Sequence, residues 1–263
     1  MKIAAISPIP HLSDLAMHNR SNYHLILSHL VHKSLEYREF YNKLHVDHFV
    51  ILDNSAHETT IGQTSDLLHS AWQMTLADEI VLPDRLFFGE DTVETSTETY
   101  KFLEERLPKG VQYMAVPQGR TWREWMDCLD GLLAIKGVGS IGISKDYEPW
   151  DGGIPALVER VLEKIDHGRG GHQIHLLGWG RDALQLRGIS HYSDVIRGID
   201  SAKPIVYAEA GVSLPAIGNT GAWTKMKYPR RQSNFFDACL SDDAVSLSKS
   251  NIDLFGDFIH TDI

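Results

Sequence analysis

Cysteine is scarce in this 263-residue chain, which contains only Cys128 and Cys239. Two cysteines cannot form a four-cysteine zinc site or a framework of disulfides. Domains that depend on either for stability are therefore excluded. The chain also has no His-x-x-x-His pair and no other compact set of metal ligands. We therefore predict no metal site and a reducing, cytoplasmic location.

Long apolar runs are lacking too, since no run approaches the roughly 18 residues that a membrane span requires. The first eight residues, Met1–Pro8, are too short and too soon interrupted by proline to act as a signal peptide. We expect them to form a first strand instead. The composition predicts no association with a membrane.

Positive charge is in short supply, because 25 Lys and Arg residues face 35 Asp and Glu residues and leave a net charge of −10. This balance argues against a protein that holds nucleic acid by its overall charge. A local basic cluster nevertheless stands near the C-terminus, and it consists of Lys225, Lys227, Arg230 and Arg231. The cluster is either a solvated loop or a rim that contacts phosphates, with Trp223 or Tyr228 stacking on a base.

What the chain does have is six short apolar runs that each stop on a polar residue or a glycine. They are Phe49–Asp53, Ile80–Asp84, Tyr113–Gly119, Ser140–Ser144, Ile174–Gly178 and Ile205–Glu209. Continuously apolar runs of this length are typical of buried parallel strands. Segments of helical character separate the runs, which is the alternation of an α/β fold.

We predict a (β/α)8 TIM-like barrel, because the length suits a fold of about 250 residues. The N-terminal strand brings the number of strands to seven, and residues 23–31 could supply the eighth. An open doubly wound sheet is the competing topology, but its glycine-rich fingerprint is absent from Ser7–His11. Residues 1–263 are predicted as a single domain, with a barrel core over 1–210 and an irregular helical appendage over 211–263.

Helices are expected between the strands and at the C-terminus. Their predicted positions are near 34–43, 62–77, 92–107, 120–134, 153–166 and 181–198, with a helical tail from about 232. Thr121 is a candidate N-cap for the helix that runs to 134, and Pro155 suits the first turn of the next helix.

Carboxylates stand where the predicted strands end. Asp53 and Asp84 each close an apolar run, where an unpaired buried charge would be costly, and strand ends are where a TIM barrel collects its catalytic groups. Two carboxylates across a cavity would suit displacement at a sugar carbon, in which one attacks C1′ and another moves a proton on the base. Helix capping or a salt bridge in a loop would also explain both residues. Asp200, just before the last predicted strand, is a third candidate. Taken by itself, it would look like a turn residue.

Three further positions at the strand ends suit a flat heterocycle. Gln118 offers both a donor and an acceptor, as a purine edge requires. Gly142 would let a ligand approach backbone N–H and C=O groups, although tight packing of the barrel also explains a glycine there. His57 is expected on the same face, where it could hydrogen-bond a substrate.

Taken in order, these motifs resemble those of the tRNA-guanine transglycosylase family, TIM-barrel enzymes that exchange guanine for a 7-deazaguanine. The run Leu52–His57 is similar to the family's Thr-Asp-Ser-Gly-Gly-Tyr element, whose aspartate is a general acid/base. The run Leu82–Asp84 stands where the family has an aspartate that reads the purine edge. The run Val116–Gly119 resembles its Val-Gln-Gly segment, whose glutamine contacts the base.

Segments further along the chain extend the resemblance. Ser140–Ile143 is similar to the family's Ile-Gly-Gly-Leu backbone clamp. His175–Gly180, followed by Arg197–Asp200, resembles its Leu-Met-Gly-Val-Gly and downstream Arg-Gly-Ile-Asp segments. The similarity spans roughly residues 47–208.

The resemblance implies a set of site residues. Asp53 would be the general acid/base, and Asp200 would be the nucleophile by a small shift of register, because the family's own nucleophilic position falls on Ser201–Lys203. The implied residues that bind the base are Ser55, His57, Asp84, Gln118, Gly119, Gly142, Ile143 and Gly178.

The family's zinc-binding cysteine cluster has no counterpart here. A short chain without zinc resembles the phage and bacterial branch that inserts 7-deazaguanines into DNA rather than tRNA. The implied substrates are double-stranded DNA, with a guanine flipped out of the duplex, and a free base such as preQ0. No cofactor is implied, and the location would be the host cytoplasm if a phage encodes the chain.

Other functions stay open at this point. The polymer could be tRNA, or the chain could be a non-catalytic barrel that binds nucleic acid or a nucleobase. The second alternative would gain if Asp200 were ion-paired with Arg197 or Lys203 and turned away from the cavity. A barrel hydrolase or lyase for small metabolites is a further alternative. Because the net charge is negative, a partner protein that positions the duplex is also plausible.

Overall fold

The structure, a computed structural model, describes residues 1–19, 21–165, 171–178, 183–216, 222–223, 226–229 and 234–260. Eight strands form one sheet. They are β1 (Lys2–Ala5), β2 (Tyr23–Leu27), β3 (Phe49–Asp53), β4 (Glu79–Val81), β5 (Gln112–Ala115), β6 (Val138–Ser144), β7 (Gln173–Leu177) and β8 (Ile196–Ser201).

The strand order identifies the fold class. Hydrogen-bonded neighbours follow the order β1-β8-β7-β6-β5-β4-β3-β2, so strands that are consecutive in sequence lie side by side and β1 lies beside β8. The pairings of β1 with β8 and from β3 through β6 are parallel. This is the order of a (β/α)8 TIM-like fold, and the predicted α/β fold class is confirmed.

Helices alternate with the strands. They are α1 (Ser28–Lys33), α2 (Leu35–Leu44), α3 (Ala56–Thr59), α4 (Ser65–Thr75), α5 (Gly89–Glu104), α6 (Trp122–Leu133), α7 (Gly153–Leu162), α8 (Ala183–Gly188), α9 (Lys203–Glu209) and α10 (Asp242–His260). Short 3-10 turns occur at Ile9–His11, Lys145–Tyr147 and Ser190–Tyr192, and a π-turn spans Leu12–Ala16.

Burial on both faces explains the apolar strands. Val50, Ile51 and Leu52 of β3 are fully buried, and so are Ile80 and Val81 of β4. Burying each of these side chains stabilises the fold by about 1.5–3 kcal/mol relative to leaving it exposed. These buried residues stabilise the strands in the sheet. The polar residues that follow them lie at the strand ends.

Helix α6 illustrates how the local sequence sets the boundaries of a helix. The Thr121 hydroxyl accepts a hydrogen bond from the Glu124 N–H at 3.2 Å, so the predicted N-cap is confirmed. The apolar face is buried at positions i, i+3, i+4 and i+7, and its residues are Trp125, Cys128, Leu129 and Leu132. Pro155, as predicted, lies in the first turn of α7.

One predicted strand is wrong. The run Ile205–Glu209 belongs to helix α9, whereas the last strand is Ile196–Ser201, which overlaps the end of the segment predicted as a helix over 181–198. Residues 203–208 are all buried, and a fully buried helix of this length shows no polar face that would distinguish it from a strand. The signal that marked the helix is Pro204 in its first turn.

Contacts within the chain group it into two compact units. The first unit comprises Met1–His24, Ser144–Val158 and Leu176–Ile263, and the second comprises Leu25–Ile143 and Glu159–His175. In the first unit, α10 packs against α9. The hydrophobic core of the first unit includes Ala5, Leu15, Ile205 and Ile252. The C-terminal appendage is thus helical as predicted, but its helix begins at Asp242 rather than near 232.

Candidate functional site

The second unit contains a buried carboxylate held by two amide side chains, which we call the amide–carboxylate cluster (Asn54, Asp84 and Gln118). The Asn54 Nδ2 donates to Asp84 Oδ1 at 2.8 Å, and the Gln118 Nε2 donates to Asp84 Oδ2 at 2.6 Å. All three residues are buried. Both oxygens of the Asp84 carboxylate therefore accept hydrogen bonds from fixed directions. Asn54, Asp84 and Gln118 follow the ends of β3, β4 and β5, which are consecutive in sequence.

The backbone determines which way each amide points. The Phe87 N–H donates to Gln118 Oε1 at 3.0 Å, so Nε2 is the end that faces Asp84. Asn54 is held similarly, because its Oδ1 accepts from the Ala56 N–H at 2.7 Å and its Nδ2 also donates to the Leu82 carbonyl at 2.7 Å. The donors that face the carboxylate are preorganised.

Behind Gln118 lies the thiol of Cys128. The Gln118 N–H donates to the sulfur at 3.4 Å, and burial raises the pKa of this thiol to about 12. The backbone hydrogen bond lowers that pKa and the charge of Asp84 raises it, both by less than burial does. A thiol with so high a pKa stays protonated near neutral pH, so Cys128 is a packing residue rather than a nucleophile.

Asp53 stands at the last position of β3 and closes a tight turn. Its Oδ2 accepts from the Ser55 N–H at 2.7 Å. Ser55 adopts a left-handed conformation with φ of 62°, and its buried hydroxyl bonds the Ser28 hydroxyl at 3.0 Å and accepts from the His29 N–H at 3.3 Å. Burial, followed by the nearby charge of Lys33, lowers the pKa of His29. Asp53 itself is only partly buried.

The predicted glycines occupy tight positions. A Cβ on Gly119 would lie 2.8 Å from the Trp125 Cα, so this glycine lets the strand end approach the first turn of α6. Gly142 and Ile143 are buried in β6. His57 is exposed on the short helix α3.

In the first unit, Asp200 is buried near the end of β8. Its Oδ1 accepts from the Gly178 N–H at 2.9 Å, and Ser201 next to it accepts from the Lys203 N–H at 3.1 Å. Gly178 has φ of 64°, a conformation that favours glycine and points its N–H at the carboxylate. The backbone thus orients Asp200.

The cations near Asp200 in sequence have aromatic neighbours. The Arg197 Nε donates to the Tyr23 hydroxyl at 3.1 Å. The buried Lys203 ammonium lies 5.6 Å from the Tyr207 ring centroid and 5.3 Å from that of Trp223, within the range of cation–π attraction.

The predicted basic rim falls largely outside the described residues. Lys225, Arg230 and Arg231 are not among them, whereas Lys227 is exposed. Trp223 is not free to stack on a base, because it is fully buried and stacks on Phe258 with 4.7 Å between ring centroids. Tyr228 is exposed, so of the two aromatic candidates it is the accessible one. The segment after Gly178, residues 179–182, also lies outside the described part.

A separate cavity of about 760 Å³ opens in the second unit beside α5 and α6. It is lined by Phe87, Phe88 and Cys128 together with several acidic residues. None of the predicted site residues lines it, although Phe87 and Cys128 contact Gln118 from that side.

Sequence reasoning missed two residues. Asn54 follows Asp53 directly, yet nothing in its type shows that its amide reaches Asp84. Lys145 directly follows β6, and its contact with Gly178 depends on the fold. Among the described residues, no group of three or more His, Cys, Asp or Glu side chains is arranged to hold a metal ion. Within the same residues, no helix combines the length and hydropathy required to cross a bilayer.

Comparison of the chain with protein-family models and with curated proteins finds no match. The resemblance to transglycosylases therefore rests on the sequence motifs alone.

Proposed function

We propose that the protein is a DNA-guanine transglycosylase, which exchanges guanine in DNA for a 7-deazaguanine such as preQ0. The observation that carries the proposal is the amide–carboxylate cluster. Asp84 presents acceptors, and Asn54 and Gln118 hold them in place. Guanine offers neighbouring N1–H and N2–H donors on one edge, so a fixed carboxylate is a suitable partner for that edge.

The proposed first step is displacement at the sugar. A carboxylate oxygen of Asp200 attacks C1′, the bond from C1′ to the guanine nitrogen breaks, and its electron pair stays with the base. Asp53, in its protonated form, delivers a proton to the departing guanine. The product is an ester between Asp200 and the sugar, as in a retaining glycosidase. The Gly178 N–H, which bonds one oxygen of Asp200, supports this role by fixing the direction of attack.

The second step reverses the first with a different base. Asp53, now a carboxylate, takes the proton from the ring nitrogen of the incoming 7-deazaguanine. That nitrogen attacks C1′, and the ester bond breaks to regenerate the Asp200 carboxylate. No net oxidation occurs, and the same two carboxylates serve both directions. Asp53 is the last residue of β3 and Asp200 lies near the end of β8, and the ends of strands commonly carry the catalytic groups of a (β/α)8 fold, which supports each role.

DNA is proposed as the polymer because the sequence has no cysteine cluster of the kind that the tRNA-acting enzymes carry. In a duplex, the target base would have to leave the stack, since chemistry at C1′ requires access to the nucleotide. The net charge of −10 makes a partner protein that positions the duplex part of the proposal.

The test is incubation with labelled preQ0 and either duplex DNA or unmodified tRNA, followed by mass analysis of the nucleosides. A deazaguanine deoxynucleoside would support the proposal. Product in tRNA alone would replace DNA by tRNA as the polymer. Absence of product in both, together with no covalent adduct on denaturing gels, would contradict base exchange and favour a binding protein.

A further inference from the structure

Lys145 lies beside the residue that orients Asp200. It begins the 3-10 turn Lys145–Tyr147 directly after β6, and its side chain is half-buried. A Cβ built on Gly178 would meet the Lys145 Nζ and Cδ atoms, each at 3.1 Å. The ammonium thus packs against the Cα of the same glycine whose N–H bonds Asp200.

The Lys145 ammonium has an acidic neighbour in the same turn. Lys145 Nζ lies 3.8 Å from Asp146 Oδ1, which is an ion pair at more than hydrogen-bond distance. The backbone of Asp146 is held by the Ser144 hydroxyl, which accepts its N–H at 3.2 Å. The Lys145 ammonium therefore lies beside the glycine whose N–H bonds the proposed nucleophile, on a flexible stem that can extend toward a ligand.

The substrate class explains a cation at this place. When Asp200 attacks C1′, the phosphates attached through O3′ and O5′ of the same sugar lie next to it. An ammonium serves as a point-charge phosphate ligand, whereas the free base that enters in the second step carries no phosphate. A cation here would therefore favour a nucleotide within a polymer and have no effect on the free base.

We propose that Lys145 binds a phosphate that flanks the target nucleotide. This inference rests on the proposed function, because it takes Asp200 as the nucleophile. It assigns selection of the polymer to the first unit and leaves selection of the base to the amide–carboxylate cluster. Gly178 is required in this scheme, since a side chain there would displace the ammonium.

The experiment measures duplex binding and base exchange for Lys145→Gln and Lys145→Arg across about 50–200 mM salt. Lys249→Gln is the matched control, because Lys249 is also partly exposed in the first unit and pairs with Asp14 at 3.2 Å. We expect Lys145→Gln to weaken duplex binding about tenfold at low salt and to reduce the slope of log K against log salt by about 0.9. Lys145→Arg should retain the slope, and the KM for free preQ0 should not change in either variant.

The outcomes separate the two proposals. If the wild type exchanges guanine and Lys145→Gln has the wild-type salt slope, the phosphate contact is wrong and the proposed function stands. A higher KM for free preQ0 in Lys145→Gln would also overturn the contact, because it would place Lys145 at the base. If the wild type neither binds duplex in a salt-dependent way nor exchanges guanine, the proposed function fails first and this inference with it.

Discussion

The amide–carboxylate cluster and the surroundings of Asp200 differ in the groups that donate hydrogen bonds to a buried carboxylate. In the second unit, two neutral side-chain amides hold Asp84 through both of its oxygens. In the first unit, a backbone N–H holds Asp200, and Asp146 and Lys145 place charges around the same glycine. Neutral donors suit recognition of a base edge, whereas charges suit chemistry at a sugar beside phosphates. Under the proposed function, the cluster would determine which base is bound, and the surroundings of Asp200 would determine the reaction at the sugar.

Removing the proposed nucleophile, Asp200, should have the largest effect on the rate of base exchange. Asp200→Asn keeps the shape of the side chain but cannot attack C1′, so we expect about a 10⁴-fold loss of exchange. Binding of free preQ0 by the amide–carboxylate cluster should persist, which calorimetry would check. Asp194→Asn, at an exposed position six residues earlier, is the control. Exchange at the wild-type rate in Asp200→Asn would refute the assignment of the nucleophile.

Changing Asp84, the proposed base-binding carboxylate, should lower the affinity for the free base. In Asp84→Asn, one acceptor becomes a donor that faces the amide of Asn54 or Gln118, and we expect the KM for preQ0 to rise about 100-fold. Formation of a covalent adduct with DNA at saturating protein should be less affected than base affinity. The comparison variant is Asp127→Asn on the exposed face of α6. If both variants had the same KM, the division of labour between the regions would be untenable.

The amide that supports Asp84 should matter for stability. Gln118→Ala removes an acceptor of the Phe87 N–H and a donor to the buried Asp84 carboxylate, so we expect the free energy of unfolding to fall by about 1–3 kcal/mol. Urea denaturation measures this change, with Gln73→Ala on the exposed face of α4 as the control. A change as small as that of the control would mean that the cluster is not preorganised.

The smallest expected effect concerns alkaline pH. Because folding raises the pKa of Cys128 to about 12, the unfolded state loses this proton at lower pH than the folded state does. The stabilisation is complete below the unfolded pKa near 9 and is lost as the pH rises toward 12. At pH 10, one unit above the unfolded pKa, the free energy of unfolding of the wild type should have fallen by about 1.4 kcal/mol more than that of Cys128→Ala. Equal slopes of the unfolding free energy against pH would show that the thiol is not buried as described.

The sequence predicted the strands whose burial makes them continuously apolar, and it predicted the polar residues that follow β3, β4 and β5. It misplaced the last strand because β8 contains Gly198 and Asp200, while the apolar run that follows is a buried helix. Gly198 is a glycine because a Cβ there would lie 2.6 Å from the Tyr23 ring, a contact that depends on the fold.

The candidate site was predictable only in part. Asp53, Asp84 and Gln118 were identified from their place after apolar runs, but the contact of Asn54 with Asp84 joins loops 30 residues apart. Trp223 shows the opposite error, since an aromatic residue among basic ones is here a core residue. Composition near a position does not show which side of the chain faces the interior.

The hydrogen bond from Phe87 to Gln118 has a consequence for discrimination between related purines. A glutamine can usually rotate its amide and exchange donor for acceptor, which allows it to accommodate either a carbonyl or an amino group. Here such a rotation would set the NH₂ against the Phe87 N–H and the oxygen against Asp84, two repulsions at once. A base such as xanthine, which carries a carbonyl where guanine has its amino group, would present oxygen to carboxylate with no rearrangement available. We therefore expect the cluster to discriminate against xanthine, the deamination product of guanine, without a separate proofreading step.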